Sequence, residues 1–401
     1  MDLVPQRVIK MKLFDELKCR GLIQDVSRPK LEEMINKGDL TFYIGTDPTA
    51  ESMHIGHYSS FSVAKRLADG GHKPILLVGG ATGLIGDPKP NSERPMITKE
   101  ELEKNYKGLR KQVEDIFGFE VVNNYDWSKD INFIDYLRDY GKYFSLNYML
   151  AKDTVKSRLD IGITYTEFSY MILQALDFLW LYENKNCLLQ IGGQDQWGNI
   201  TAGIELTRKK IGAEVFAFTM PLILDAHGNK FGKSEGNAIW LDKNLTTPYE
   251  MYQFFINQDD KMIIKYLKML SFLTPDEIME IEKLHNQKPE LRIAQKALAE
   301  DIITFLHGKE EFIKAQEISI KIFNGENTDM MPTLVISGSK NIIDVLVNSN
   351  IAPSKSEARR LITQGGIEID KVKIIDPNYE IVKNEVIIKK GKKSINKIIL
   401  K

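Results

Sequence analysis

The chain has 401 residues, of which 43% are hydrophobic and 27% are charged, so its length and composition predict two or three folded domains with a sizeable core. It contains no run of 18 apolar residues, and its first 20 residues lack the apolar segment of a secretory signal, which excludes a membrane span and a signal peptide of the usual kind. The two cysteines, Cys19 and Cys187, show no metal-ligand spacing, so we expect a reducing, cytoplasmic compartment.

The formal net charge of −1 hides an uneven distribution of charge along the chain. Residues 340–401 contain 13 Lys or Arg against 7 Asp or Glu, a balance of +6, and the remainder carries −7. A basic tail on an acidic body indicates nucleic acid as a partner of the tail. A solvated, lysine-rich surface would give the same numbers.

The first half of the chain alternates between helical and strand patterns. The run "KPILLVGG" (73–80) is apolar throughout and ends in glycines, which suits a strand buried on both faces. Residues 81–95 are rich in Gly and Pro and predict a loop. The remaining predicted elements, in chain order, are a helix at 14–38, a strand at 39–45, helices at 57–70 and 99–117, and a strand at 119–124.

A buried helix at 166–183 is followed by a buried strand at 186–193 and by a helix that opens at "DQWGNITAGIELTRKK". Buried strands that alternate with helices predict an α/β domain with a parallel, Rossmann-like sheet. Such sheets bind ligands beyond the carboxyl ends of their strands. The strongest candidate site residues of this chain fall at those ends.

The second half of the chain has a different organisation. We predict a catalytic domain over 1–246, an α-helical domain over 247–323, a linker over 324–340 and a small α+β domain over 341–401. The last of these contains a short helix at 341–349, a helical segment "SKSEARRLITQGG" and three short strands, "IEID", "VKII" and "EVIIKK".

The segment "YIGTDPTAESMHIGH" (43–57) predicts a strand end, a turn and the start of a helix. A helix N-terminus presents free N–H groups and a partial positive charge, which attract phosphate. His54 and His57 project to one side of this first turn and can donate to phosphate oxygens, and Gly56 lets a flat base approach the backbone. A zinc site is the rival interpretation, but two histidines without a third ligand are a weak metal motif.

The segment "GNKFGKSEG" (228–236) places Lys230, Lys233 and Ser234 in a glycine-rich loop. Two mobile lysines can fold over a polyphosphate and neutralise the charge that develops as pyrophosphate leaves. The spacing is not that of a Walker A loop. Alone the pattern is common on protein surfaces, but together with an upstream "HIGH" after a strand it indicates a nucleotide site.

The motifs "HIGH" (54–57) and "KFGKS" (230–234) resemble the two signatures of class I aminoacyl-tRNA synthetases. With "TDPTAESMHIGH", "LVGGATGLIGDP", "TEFSYMILQALDF" and "LQIGGQDQWGNI", the chain resembles bacterial-type tyrosyl-tRNA synthetases over nearly its whole length. The resemblance implies that L-tyrosine is activated with ATP and attached to tRNA(Tyr), with Mg²⁺ on the pyrophosphate and no protein metal site. It also implies a homodimer formed through residues 99–160.

The resemblance implies a tyrosine pocket in which Tyr43 and Asp177 hold the phenolic hydroxyl while Tyr170, Gln174 and Asp87 hold the α-ammonium group. Gln190 would line the same pocket. The helical spacing supports this pocket independently, because Tyr170, Gln174 and Asp177 fall on one face of an otherwise apolar helix. A buried carboxylate there is costly unless a ligand or a neighbour satisfies it.

The resemblance also implies an ATP site and a mechanism without a protein nucleophile. The tyrosine carboxylate attacks the α-phosphate, and catalysis consists of positioning and charge stabilisation by Thr49, His54, His57, Lys230 and Lys233. Arg94 is a weaker phosphate candidate. The complete set expected to bind ATP or the adenylate is Gly45, Asp47, His54, Gly56, His57, Gly193, Asp195, Gln196, Lys230, Phe231, Gly232, Lys233 and Ser234.

The tail segment "LVNSNIAPSKSEARRLITQGGIEID" resembles the small RNA-binding domain named after ribosomal protein S-four. Lys355, Arg359 and Arg360 form a basic helix face that suits an RNA backbone. Lys152 and Arg158 are candidates for contact with the tRNA acceptor end, or are simple surface charges.

Three rival functions remain at this point. A tryptophan-specific relative shares the fold, but Tyr43 and Asp177 favour a phenol. An RNA-binding or splicing factor on a synthetase scaffold would be marked by loss of the signature His and Lys residues, and both pairs are present. A nucleotidyl transferase acting on a small molecule is disfavoured by the RNA-binding tail.

Overall fold

The structure is a computed structural model that describes residues 11–88, 96–234, 237–324, 333–349, 351–352, 354–391 and 394–401. The chain divides into two compact units. Unit 1 comprises residues 1–247 and 259–302, and unit 2 comprises residues 248–258 and 303–401. None of the helices in the described ranges is long and apolar enough to span a bilayer.

Unit 1 is built on a five-stranded parallel sheet, which confirms the predicted α/β, Rossmann-like class. Its strands β1 to β5 are Thr41–Thr46, Lys73–Val78, Glu120–Asn123, Cys187–Gly193 and Phe216–Met220, in the spatial order β3-β2-β1-β4-β5. The order reverses direction between β1 and β4, and a crevice forms at the carboxyl ends of strands on either side of such a switch point.

Several helices of unit 1 begin at side-chain caps. Thr98 and Thr164 each accept a hydrogen bond from the backbone N–H three residues on, and Gly118 and Asn186 end the same two helices with a positive φ. The helical segments are Leu13–Cys19, Lys30–Lys37, Ile55–Asp69, Thr82–Ile85, Lys99–Phe117, Tyr125–Ser128, Phe133–Asp135, Tyr136–Tyr140, Gly141–Tyr143, Leu146–Leu150, Asp153–Lys156, Tyr165–Lys185, Gln194–Gln196, Trp197–Ile211, Ile263–Leu270, Pro275–Gln287 and Pro289–Leu291.

Three sequence predictions for unit 1 need correction. The helix predicted over 14–38 is two helices, because residues 24–27 run along the outer edge of β5 instead. There the Gln24 N–H donates to the Thr219 carbonyl and the Ser27 N–H to the Ala217 carbonyl, so the backbone of the sheet edge is covered. Strand β5 itself was missed, although all five of its residues are buried. The predicted loop 81–95 contains the short helix Thr82–Ile85, and its residues 89–95 lie outside the described ranges.

Unit 2 combines helices with a second five-stranded sheet. Its helices are Pro248–Ile256, Lys309–Asn324, Ile342–Asn348 and Lys355–Thr363, and the helix Ile293–His307 begins in unit 1 and ends in unit 2. The strands β8 to β12 of this sheet are Thr333–Ile336, Ile367–Ile369, Val372–Ile374, Glu385–Lys390 and Ser394–Leu400. The two strands numbered before them, β6 and β7, form a short ribbon in unit 1 at Lys233–Ser234 and Asn237–Ala238.

The linker predicted over 324–340 needs a correction. Strand β8 lies within it and pairs in parallel with β12, with Leu334 opposite Ile398 and Ile336 opposite Leu400. The run of β-branched and apolar residues in "TLVI" is the signal that was passed over. The small α+β module therefore includes residues before 341, and its core is formed by buried aliphatic side chains from both helices and the sheet.

Candidate active site

A cavity of about 1180 Å³ opens at the carboxyl ends of β1 and β4 in unit 1. It is the crevice that the strand order predicts, and it brings together most of the residues that the sequence singled out. The predicted site residues that line it are Tyr43, Gly45, Asp47, Thr49, His54, Gly56, His57, Asp87, Tyr170, Gln174, Asp177, Gln190, Gly193, Asp195, Gln196, Lys230 and Phe231.

One end of the cavity is closed by Tyr43 from β1 and by Asp177 from the helix Tyr165–Lys185. Both side chains are almost fully buried, at 1% and 2% exposed. Among the described residues, no group forms a hydrogen bond with the Tyr43 hydroxyl or with Oε1 of the neighbouring Gln190. Buried polar atoms are nearly always paired in native proteins, so this end of the cavity offers unsatisfied polar atoms to a ligand.

Asp177 is held in place by two donors that the sequence analysis missed. Asn124 Nδ2 donates to Asp177 Oδ2 at 2.9 Å, and Trp127 Nε1 donates to Asp177 Oδ1 at 3.0 Å. Burial raises the pKa of Asp177 from its ordinary 3.8 to about 7, although the two donors favour the ionised form and oppose this shift. Each carboxylate oxygen keeps a second lone pair for a ligand hydroxyl.

The middle of the cavity carries Tyr170 and Asp47. The Tyr170 hydroxyl donates to Asp47 Oδ2 at 3.0 Å, and burial together with the neighbouring Asp47 charge raises the pKa of Tyr170 well above its ordinary value. A phenol has a single hydroxyl proton, and Tyr170 donates it to Asp47. The Tyr170 oxygen therefore faces other partners as an acceptor, which suits a cationic group.

A third polar cluster surrounds Asp87. Gln196 Nε2 donates to Asp87 Oδ2 at 2.9 Å and Asn199 Nδ2 donates to Asp87 Oδ1 at 3.1 Å. Asn199 Nδ2 also donates to Gln196 Oε1 at 3.2 Å, which fixes the orientation of that amide. Asp87 is thus an oriented carboxylate at the cavity wall, and Asn199 is a further residue that sequence reasoning missed.

The two signature histidines share one arrangement at the start of the helix Ile55–Asp69. The backbone N–H of Gly56 donates to His54 Nδ1 at 3.0 Å, the backbone N–H of His54 donates to His57 Nδ1 at 3.2 Å, and the two rings stack at 4.0 Å between centroids. Because both Nδ1 atoms accept, each neutral ring carries its proton on Nε2. A Cβ on Gly56 would stand 2.8 Å from His54 Cε1, so glycine here admits the folded-back ring.

Gly232 and residues 239–241 pack directly against the segment that contains the histidines. The Ile55 N–H donates to the Ile239 carbonyl at 2.8 Å, and the Leu241 N–H donates to the Met53 carbonyl at 2.8 Å. Gly232 has a φ of +84°, and a Cβ there would collide with the side chain of Ile55. The two signatures, 173 positions apart from His57 to Lys230, are therefore neighbours in space.

The nucleotide side of the cavity contains Asp195, Lys230 and Phe231. Lys230 Nζ lies 3.9 Å from Asp195 Oδ2, and both side chains are exposed. Phe231 is buried against Tyr266, with ring centroids 4.4 Å apart, and anchors the loop. A Cβ on Gly193 would lie 2.7 Å from Asp195 Oδ1, so glycine leaves room for that carboxylate. The side chains of Lys233 and Ser234, and the whole of Arg94, lie outside the described part of the structure.

The residues predicted to touch tRNA have different surroundings. Arg158 is 4% exposed and forms a two-pronged ion pair with the equally buried Glu167, at 3.2 and 3.0 Å, so the structure does not present its guanidinium to an RNA backbone. Lys152 Nζ is occupied by the Tyr148 hydroxyl at 2.6 Å and by Thr201 Oγ1 at 3.1 Å. In unit 2, by contrast, Lys355, Arg359 and Arg360 are exposed.

Comparison with known proteins gives the family. Residues 35–324 match the model of the tRNA synthetases class I (W and Y), and residues 324–398 match the SYY-like C-terminal domain of tyrosine–tRNA ligase. The chain is 46% identical to a protein of Listeria innocua named tyrosine–tRNA ligase, over 96% of this chain and 98% of that protein. A protein of the same name from Staphylococcus haemolyticus is 45% identical over 95% and 97%.

Among solved structures, a C-terminally truncated mitochondrial tyrosyl-tRNA synthetase from Aspergillus nidulans superposes with a TM-score of 0.69 at 31% identity. The superposition covers 78% of this chain and 94% of that protein. Similarity of this extent covers both the cavity and the polar clusters that line it. The chain therefore belongs to the class I tRNA synthetases of the tryptophan and tyrosine group and, within that group, to the tyrosine–tRNA ligases.

Proposed function

We propose that this chain activates L-tyrosine with ATP to form tyrosyl-adenylate and pyrophosphate, and then passes the tyrosyl group to the 3′ end of tRNA(Tyr). The observation that carries the proposal is the closed end of the cavity, where the unsatisfied Tyr43 hydroxyl and the Asp177 carboxylate stand together. A phenolic hydroxyl satisfies both, because it accepts from Tyr43 and donates to Asp177. Phenylalanine would leave both groups unpaired, and enzymes of this family are the usual example of that rule.

The α-ammonium group of tyrosine fits the acceptors in the middle of the cavity. Tyr170 faces the cavity as an acceptor because its proton is spent on Asp47. Asp87 supplies an oriented carboxylate, and Gln174 supplies an amide oxygen from the same helix face as Tyr170 and Asp177. An ammonium group placed among these oxygens gains charge-assisted hydrogen bonds, and the tyrosine carboxylate is then directed toward the nucleotide.

The phosphates of ATP fit the helix N-terminus and the two signatures. His54 and His57 carry their protons on Nε2, so each ring offers a neutral N–H donor toward a phosphate oxygen, and Thr49 lines the same wall. Lys230 and Lys233 add positive charge as pyrophosphate leaves. Catalysis then consists of aligning the carboxylate with the α-phosphate and stabilising charge, with no covalent enzyme intermediate.

The remaining nucleotide contacts follow from the cavity wall. Asp195 accepts from the ribose hydroxyls, with Gly193 giving them access, and the backbone at Gly45, Asp47 and Gly56 borders the adenylate. Mg²⁺ enters with ATP as part of the substrate. Phosphate oxygens and water are its main partners, because Mg²⁺ gives up its bound water reluctantly. Further contacts are assigned to Gln196, Phe231, Gly232 and Ser234.

The tRNA is held in part by the exposed basic face of the helix Lys355–Thr363. Lys355 pairs with Asp344 at 2.8 Å, and Arg360 pairs with Glu357 in a contact of 2.6 Å. Exposed ion pairs of this kind contribute little to stability because water screens them, so a phosphate can replace the carboxylate at little cost. Lys152 contributes at most a weak contact, and Arg158 acts in the fold rather than on the RNA.

A homodimer through the predicted segment 99–160 is part of the proposal. Phe133, Ile134 and Leu146 of this segment are each 64–65% exposed, and large apolar side chains exposed together mark protein contacts. We also propose the predicted division into a catalytic domain (1–246), a helical domain (247–323) and a tail domain, the last enlarged by β8. Sedimentation velocity would test the dimer, and a monomer at micromolar concentration would contradict it.

The experiment that tests the function is amino-acid-dependent ATP–pyrophosphate exchange with tyrosine, phenylalanine and tryptophan. We expect exchange with tyrosine alone. Tyr43→Phe should raise the KM for tyrosine about tenfold and reduce discrimination against phenylalanine, because one hydrogen bond to the hydroxyl is lost. Tyr58→Phe is the matched control, since the Tyr58 hydroxyl is also buried but bonds to the Leu270 carbonyl outside the cavity. Folded protein without exchange for any of the three amino acids would refute the proposal.

A further inference from the structure

A continuous chain of hydrogen bonds runs through the buried wall of the amino-acid cavity and joins the polar groups in its middle to those at its closed end. Thr82, at the start of the short helix after β2, stands at its centre and is 3% exposed. Thr82 Oγ1 donates to Asp47 Oδ1 at 2.8 Å and accepts from Asn124 Nδ2 at 3.1 Å. Asp47 also accepts a hydrogen bond from the Tyr170 hydroxyl, and Asn124 also donates one to Asp177.

The direction of every bond in this chain is fixed by the atoms available. The Ala81 backbone N–H donates to Asn124 Oδ1 at 2.7 Å, so the amide must turn its NH₂ group toward Thr82 and Asp177. An ionised Asp47 can only accept, so the Thr82 hydroxyl donates to it. The Thr82 hydroxyl therefore donates to the Asp47 carboxylate and accepts from the Asn124 amide. The same amide donates to the Asp177 carboxylate.

We propose that the Thr82 hydroxyl is a positioning group for tyrosine recognition: it couples the residues that hold the α-ammonium group, in the middle of the cavity, to the residues that hold the phenolic hydroxyl at the closed end. This inference rests on the proposed function. The Thr82 hydroxyl orients Asp47, and Asp47 in turn accepts the hydrogen bond from the Tyr170 hydroxyl. It also orients Asn124, which donates to Asp177. Thr82 lines the cavity, and its effect on the substrate passes through these neighbours.

The backbone around Thr82 is shaped to allow this arrangement. A Cβ on Gly79 would overlap both Asp47 Oδ1 and Thr82 Oγ1, so only glycine leaves space for the bond between them. The Gly79 N–H donates to the carbonyl of Thr46, the last residue of β1, at 2.9 Å, so the pairing of β1 and β2 continues one residue beyond the end of β2. The network therefore sits on the rigid end of the sheet, where a positioning group is most effective.

Removal of the Thr82 hydroxyl should disturb the groups around the α-ammonium and the groups around the phenolic hydroxyl at the same time. In Thr82→Val the Asp47 carboxylate loses a donor and a buried N–H of Asn124 loses its acceptor, while the side chain keeps its shape. Asp47 and Asn124 then each lack one of the bonds that fix their orientation, so Tyr170 and Asp177 are held less well for the substrate. The ATP phosphates bind at the helix N-terminus and should be affected little.

The test measures tyrosine-dependent ATP–pyrophosphate exchange and tyrosine binding by calorimetry for wild type, Thr82→Val and Thr82→Ser. We expect Thr82→Val to raise the KM and Kd for tyrosine about tenfold, the worth of one to two hydrogen bonds, with the KM for ATP within about twofold of wild type. Thr82→Ser keeps the hydroxyl and should restore the wild-type KM. Thr82→Ala serves in place of Thr82→Val if the latter does not fold.

Thr207→Val is the matched control, because Thr207 is also fully buried but donates only to the Gly203 carbonyl of its own helix. It should leave both KM values unchanged. The inference is overturned if Thr82→Val keeps the wild-type KM for tyrosine, if the KM values for tyrosine and ATP rise together, or if Thr82→Ser behaves like Thr82→Val. A wild-type protein without exchange would instead refute the proposed function, so the two failures are distinguishable.

Discussion

Replacement of Asp177 by Asn should make the unliganded protein more stable at alkaline pH while it impairs tyrosine selection. Burial raises the pKa of this carboxyl from 3.8 to about 7 in the folded chain. Between these two values the native state binds a proton that the unfolded chain has released, so the free energy of unfolding falls as pH rises through this range. Asn carries no charge and removes this dependence.

The expected size of the effect follows from the shift in pKa. A shift of about three pH units corresponds to an upper bound of about 4 kcal/mol at pH 8, of which about 2–3 kcal/mol develops between pH 5 and pH 8. The Asn amide can accept from only one of the two donors, Asn124 and Trp127, and an unpaired buried donor costs about 1–3 kcal/mol. The two proteins should therefore be similarly stable at pH 5, with Asp177→Asn more stable by about 2 kcal/mol at pH 8.

Urea unfolding monitored by tryptophan fluorescence measures this difference, because all four tryptophans lie in unit 1 with Asp177. Asp139→Asn is the control: Asp139 is only partly buried and Arg138 lowers its pKa below 3.8, so the substitution should produce no trend between pH 5 and 8. If the difference between Asp177→Asn and wild type stays constant over that range, the raised pKa of Asp177 is wrong.

Three further predictions follow from other contacts. His54→Asn keeps an acceptor for the Gly56 N–H but removes the Nε2 donor, so kcat for exchange should fall about 10- to 100-fold with the Kd for tyrosine unchanged; an equal loss of tyrosine affinity would contradict the assignment. Arg158→Met leaves Glu167 buried and unpaired and should cost about 3–5 kcal/mol of stability, whereas Arg158→Met with Glu167→Leu should recover most of it by urea unfolding. Arg359→Ala should weaken tRNA binding and lower the slope of log affinity against log salt by about one, with amino-acid activation unaffected; an unchanged slope in a salt titration would remove this residue from the interface.

Much of the fold and the site was determined by the sequence alone. Continuous apolar runs such as 73–80 predict strands buried on both faces, and such strands between helices form a parallel sheet, so the class and the sheet edge that carries the site followed directly. His54 and Lys230 were recognisable because each lies in a short motif whose side chains can bind phosphate, at a predicted helix start and in a predicted glycine-rich loop respectively. Asp177 was recognisable because a carboxylate is out of place on an apolar helix.

Tertiary structure decided the rest, because the partners concerned are distant in the chain. Arg158 has the composition of a surface residue, and only the fold shows that it is buried against Glu167. Thr82 and Asn124 carry no local signal, since a threonine in a turn and an asparagine after a strand are ordinary; their roles arise from hydrogen bonds to Asp47 and Asp177 on other elements. Sequence periodicity predicts which face of a helix or strand is buried. It does not predict which side chains form hydrogen bonds with each other across the cavity, because these meet only when the sheet brings the strand ends together.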